Sequence, residues 1–201
     1  EAWLHANHGS PAQITLENMD PLTVARTRSA ASQLAGFPLI STKSDCFPTE
    51  KAKTFQKLLR GGTLTPEHVI HNKPFPALLG EDIAAGLAQF ADDYVAYFER
   101  ANDPELTMLL KSPHWAMYDT GHCRSFGRNL KRATVSADVA AATLHAMFYA
   151  DRMGGWMGLS EQDLRDLEYW ELEQSKLKRQ KQPSTLTGKI AVVSGASAGI
   201  G

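Results

Sequence analysis

Three glycines, Gly195, Gly199 and Gly201, follow the apolar run KIAVVS at 189–194. An apolar, β-branched run leading into a small-residue loop is a device for holding phosphate. Glycines let the backbone turn sharply and approach a pyrophosphate, and the next helix offers free N–H groups and a positive dipole end. The candidate cofactor-binding residues are therefore Ser194, Gly195, Ser197, Gly199, Ile200 and Gly201. Their spacing is Gly-x-x-x-Gly-x-Gly, distinct from the general Gly-x-Gly-x-x-Gly fingerprint. The competing reading is a flexible tail of glycine, alanine and serine. The run at 189–194 favours the loop, because it reads as a buried strand.

The histidines are the second source of chemistry. His5 and His8 stand three residues apart, as do His68 and His71, and His114 lies upstream of the adjacent pair His122 and Cys123. Zinc needs three or four such ligands at compatible spacing. His5 and His8 sit before Gly9 and Pro11, which break a helix, so a surface pair is expected. His68 and His71, with Glu67 and Lys73, lack a further local ligand; if that cluster acts, His68 and Lys73 are placed to meet an anionic substrate. His122 and Cys123 would point to opposite faces of a strand. His145 lies beside Leu144 on a helix and reads as a core residue. No metal ligand and no catalytic residue is assigned within the chain.

These residues need elements to hold them. The MDPLTVARTRSAASQLAG stretch at 19–36 is a helix with Asp20 as cap, Pro21 in the first turn and Gly36 as stop. A short strand is expected in FPLIST, and a helix in PTEKAKTFQKLLRGG with Phe55, Leu58 and Leu59 on one face. The proline-rich segment 63–80 supports at most one helical turn after Pro66. Ile83, Leu87, Phe90, Tyr94, Tyr97 and Phe98 recur at helical spacing. Strand, turn and strand follow in HWAMYDTGHCRSFG, then a long helix ending at Gly154 and Gly155. One further helix, opened by Ser160 and Asp163, runs to the cations at Lys176, Lys178, Arg179 and Lys181, which suit a helix C-terminus.

The chain has 201 residues, 43% hydrophobic and 21% charged, with a formal net charge of −1. This is the balance of a soluble globular protein. It gives no reason to expect a nucleic-acid or membrane-surface partner, and no apolar run approaches the ~20 residues of a membrane span. Cys46 and Cys123 are too few for a disulfide framework, so a cytoplasmic location is expected. With no initiator methionine and an abrupt glycine-rich close, the sequence is expected to be an internal piece of a longer protein.

The stretch LTGKIAVVSGASAGIG resembles the opening of short-chain dehydrogenases, with Ser194 where that family usually carries threonine. Upstream, LEYWELEQSKLKRQKQP running into it, together with GTLTPEHVIHNKPFP and FADDYVAYFER, resembles bifunctional proteins that join a class II aldolase/adducin-like half to a short-chain dehydrogenase, the rhamnulose-phosphate aldolase/lactaldehyde dehydrogenase type. The resemblance implies an α/β fold: the mostly helical C-terminal part of an aldolase-like domain at 1–158, a connecting helix and linker at 159–183, and the first strand and loop of a Rossmann domain at 184–201. It implies NAD or NADP for hydride transfer between aldehyde and alcohol. It also implies zinc for the aldolase half, with ligands upstream of Glu1, and a sugar phosphate as that half's substrate. The dehydrogenase family's serine, tyrosine and lysine would lie beyond Gly201, so the chain by itself is expected to be inactive. An N-terminal extension acting only as a scaffold or oligomerisation domain is the alternative, and a homo-oligomer stays open.

Overall fold

A computed structural model describes residues 2–9, 19–44, 52–179 and 184–195. Around a four-stranded sheet, helices pack on both faces. The order is β1 (Ile40–Ser44), β4 (Cys123–Gly127), β3 (Trp115–Tyr118) and β2 (Ala77–Leu79). β4 runs antiparallel to both β1 and β3, and β2 lies parallel to β3. The parallel pair requires a crossover, supplied by α5 (Ile83–Glu99).

The two-residue period of β3 divides the core. Ala116 and Tyr118 face one layer, with Leu79, Leu87, Phe90, Tyr94 and Tyr97. Trp115 and Met117 face the other, with Phe55 and Leu59 of α3 (Ala52–Leu59) and Leu144 and Met147 of α6 (Leu130–Arg152). A strand buried on both faces must be apolar throughout, and all four residues of β3 are buried. Gly86 lets α5 lie directly on β2, where an added Cβ would stand 2.7 Å from the Leu78 carbonyl oxygen.

Local rules account for most of the elements. Asp20 caps α2 (Pro21–Ala35) by accepting from the Thr23 amide at 2.9 Å, and Gly36 at φ +75° closes it. Asn129 caps α6 through the Arg132 amide. The β3–β4 hairpin turns through Gly121 at φ +84°.

Three expectations are corrected. The segment after Pro66 forms α4 (Pro66–Asn72), longer than a single turn, and then β2, whose three residues are too few to show a period. The helix expected from Ser160 onward is two, α7 (Glu161–Glu168) and α8 (Glu171–Arg179), because Glu168 and Tyr169 both turn into the core at the break. The Rossmann strand expected at 189–194 does not form. Ile190, Val192 and Val193 are 69%, 95% and 63% exposed, and the segment pairs with none of the four strands. A strand without a ladder partner leaves its backbone groups to water and gains no packing face. Just before it, the backbone is pinned: Arg28 donates to the carbonyls of Leu39, at 2.5 Å, and of Gly188, at 2.8 Å. No described helix is long and apolar enough to cross a membrane.

Candidate functional site

A cluster of polar side chains lies buried inside the molecule. Lys73 caps the C-terminal end of α4, and its φ of +64° and ψ of 174° place a non-glycine residue in a backbone region almost reserved for glycine. Such a conformation costs about 1–3 kcal/mol and persists only where its surroundings hold it. Its effect is to swing the lysine inward. Lys73 is 1% exposed, its ammonium lies 3.4 Å from the centre of the Tyr94 ring, and it stands 4.0 Å from Glu168 Oε1. Glu168 reaches this point from the last turn of α7, on the same stripe as Leu164, and is 2% exposed.

Tyrosines complete the cluster. The Tyr94 hydroxyl donates to Glu168 Oε1 at 2.9 Å and lies 2.6 Å from the Tyr169 hydroxyl. Tyr97, on the next turn of α5, is also buried and stacks on Tyr94 with ring centres 5.8 Å apart. Among the described residues, Lys73 Nζ and Glu168 Oε2 have no hydrogen-bond partner. Burial disfavours each charged form: Lys73 is pulled down to about 8, against the attraction of Glu168, and Glu168 is pushed up to about 7, against the attraction of Lys73. The same burial, reinforced by Glu168, raises Tyr94 and Tyr97 well above the usual phenol range.

His114 borders this cluster. Its Nδ1 lies 2.6 Å from the His71 carbonyl oxygen, so that nitrogen must carry the proton and donate. Burial and the Lys73 charge hold the imidazole neutral, with a pKa near 3. It is therefore no proton carrier at neutral pH.

Tyr169 links this interior to an open polar cleft. The cleft lies between the C-terminal end of α5, the loop that follows, and α7, and holds about 500 Å³. Arg100, Asp103, Gln162, Arg165 and Asp166 wall it, and Tyr169 lies at its base. Glu161 ties the walls together: Arg100 holds it in a two-pronged bond at 2.6 and 2.8 Å, and Arg165 donates to the same carboxylate.

The residues singled out from the sequence do not converge on either place. His5 stacks on Tyr149 and meets His145 edge-on, while His8 packs against Trp3. Thus His145 sits at a helix–helix contact with His5. His68 Nδ1 pairs with the Thr65 hydroxyl at 2.6 Å, and His71 approaches Glu67 at 3.3 Å. Lys73 does not stand beside His68 to receive an anion from solvent; it is buried against Glu168. His122 bonds Thr120 at the hairpin, whereas Cys123 is buried in the α6 layer. Ser194 and Gly195 are exposed, and Ser197, Gly199, Ile200 and Gly201 lie outside the described residues.

Among the described residues no three His, Cys, Asp or Glu side chains gather to hold a metal, so they do not fit the zinc of an aldolase. Of the glycine loop only Ser194 and Gly195 are described, with open space around Gly195 and no strand before them.

The sequence reading missed Glu168, Tyr169 and Tyr94 as partners. A signal was present: Glu168 stands four residues after Leu164, which puts a carboxylate on the apolar stripe of a helix.

The family described as "Aldolase class II, second domain" matches residues 19–177. A relative from Bacillus subtilis (strain 168), "Uncharacterized oxidoreductase YuxG", is 24% identical over 152 residues, covering 70% of this chain and 22% of that protein. The chain thus spans about a fifth of the relative's length. No solved structure matches.

Proposed function

Because the chain belongs to the family of class II aldolase second domains, we propose that it serves as one domain of a sugar-metabolising enzyme with two activities. One is the zinc-dependent making or breaking of a carbon–carbon bond in a sugar phosphate. The other is short-chain dehydrogenase-type hydride transfer, with NAD or NADP, between aldehyde and alcohol. The observation that carries this reading is the second-domain match over residues 19–177 in a chain that spans 22% of an oxidoreductase-named relative. The stretch ending at Gly201 adds the dehydrogenase half by resemblance. Zinc ligands, in this reading, come from residues N-terminal to Glu1. The hydride-transfer residues come from beyond Gly201. What this chain contributes is a rigid body between the two.

The second reading makes the chain a scaffold or oligomerisation unit of a plain dehydrogenase. The two readings separate in one experiment on the full-length product of the gene. Metal-dependent cleavage of ketose phosphates, abolished by a chelator, together with NAD(P)-linked oxidation of the aldehyde formed, supports the first. Oxidation alone, indifferent to chelation, supports the second. Neither activity in the full-length protein overturns both.

A further inference from the structure

We propose that the cleft between the end of α5 and α7 is a binding site for a small, uncharged polyhydroxylated molecule, a free sugar or sugar alcohol. The idea draws on the sugar-metabolising reading only for the class of ligand; the cleft itself is argued from its walls.

Its size comes first. About 500 Å³ lies within the range of small-molecule sites. Donors and acceptors alternate around it. Arg100 and Arg165 are held in place by Glu161, and each guanidinium keeps further N–H donors free of that carboxylate. Asp103 spends one oxygen on the Glu105 amide at 2.9 Å, leaving the other. The side chains of Gln162 and Asp166 make no hydrogen bond or ion pair among the described residues. Hydroxyl groups both donate and accept, so they match such a mixed wall.

Charge then decides against an anion. The two guanidiniums of the lining, Arg100 and Arg165, are balanced by the carboxylates of Asp103 and Asp166, and both are already paired with Glu161, so the cleft has no surplus positive charge. A phosphate would have to share the guanidiniums with Glu161 and sit beside the carboxylates of Asp103 and Asp166. A neutral polyol meets neither cost. Ala101 and Leu106 supply apolar lining for the C–H face of a sugar. Tyr169 offers its ring, since its hydroxyl is committed to Tyr94.

The test uses the 201-residue chain with D-sorbitol, D-fructose and D-fructose 1-phosphate, read by saturation-transfer NMR and titration calorimetry. D-Sorbitol and D-fructose are expected to bind, and D-fructose 1-phosphate more weakly than D-fructose. Asp166→Ala and Gln162→Ala, both exposed on α7, are each expected to weaken polyol binding about tenfold. Asp138→Ala, exposed on α6 away from the cleft, is expected to leave it unchanged. Absence of binding by both polyols overturns the proposal. So does tighter binding of the phosphate, or equal binding by the Asp166 and Asp138 variants. Far-UV circular dichroism verifies that each variant is folded. Full-length activity is a separate readout, so the enzyme reading can fail while the cleft still binds polyol, and the converse.

Discussion

Lys73→Met should destabilise the protein by an amount that depends on pH, and the dependence is the informative part. Lys73 and Glu168 are both almost wholly buried and 4.0 Å apart. Removing one member of such a pair typically costs about 3–5 kcal/mol, because the other charge is left buried without compensation. Glu168, however, has an escape. Its pKa is already near 7, raised by burial and held down by Lys73. Without the lysine it rises further, so at pH 6 the carboxyl of the variant is neutral and the cost is small. A carboxyl whose folded pKa exceeds its unfolded value binds more protons folded than unfolded. Stability is therefore lost as pH rises toward the folded pKa. In the native protein that loss stops near pH 7; in the variant it continues. The penalty of Lys73→Met should thus grow by about 1.4 kcal/mol from pH 7 to pH 8. Urea unfolding followed by circular dichroism at pH 6, 7 and 8 measures it. The double variant Lys73→Met/Glu168→Gln should abolish the growth with pH. A penalty for Lys73→Met that is the same at pH 6 and pH 8 would refute the argument, and so would a double variant that keeps the slope.

The native protein should itself show a stability minimum between pH 7 and 8. Glu168 costs stability as pH rises from its unfolded value to about 7, and Lys73, depressed to about 8, returns it as pH rises beyond 8; thermal midpoints across pH 5–10 report this. Tyr94→Phe should cost about 1–3 kcal/mol by removing the hydroxyl shared by Glu168 and Tyr169, measured by denaturant titration. Gly86→Ala should cost about 1–3 kcal/mol, since its Cβ would meet the Leu78 carbonyl at 2.7 Å and force α5 from β2. Gly188→Ala should free the segment that follows, because a Cβ there would stand 1.8 Å from the Pro38 carbonyl oxygen. Limited proteolysis should then cut the variant near residue 188 faster than the native chain.

Where local rules decide structure, the sequence was legible. Asp20, Pro21 and Gly36 bound α2 because capping and left-handed turns are properties of single residues. The stripe through α5 and the hairpin around Gly121 followed from period and turn chemistry. β2 was hidden because a three-residue strand between Pro76 and Gly80 has no period of its own and exists only through its pairing with β3. The α7–α8 break was hidden for a similar reason. Glu168 and Tyr169 look like surface residues of a continuous helix until Lys73, 95 positions earlier in the chain by their numbers, supplies a buried charge to meet. The run at 189–194 erred the other way: its composition is that of a buried strand, but composition supplies no partner. The polar cleft left no local trace, since its walls come from two helices and a loop brought together only by packing.

The position of β1 at the sheet edge bears on how the chain folds as it is made. Among the described strands β1 pairs only with β4, and the Ser44–Ser125 hydroxyl contact joins residues 81 apart. At about 5–20 residues per second of synthesis, β1 waits on the order of 4–16 seconds before its partner has been added. A strand left unpaired that long invites association with other chains. β1 reads ISTKS, with one aliphatic residue, three hydroxyls and a lysine. Such a strand is soluble while it waits, and it needs the α6 layer as well as β4 to be held in place, because α6 packs on β1 and β4 together. Sheet closure is therefore deferred until the long helix following β4 has emerged. Truncated chains ending before residue 130 should leave β1 accessible to protease, while chains extended past 152 should protect it.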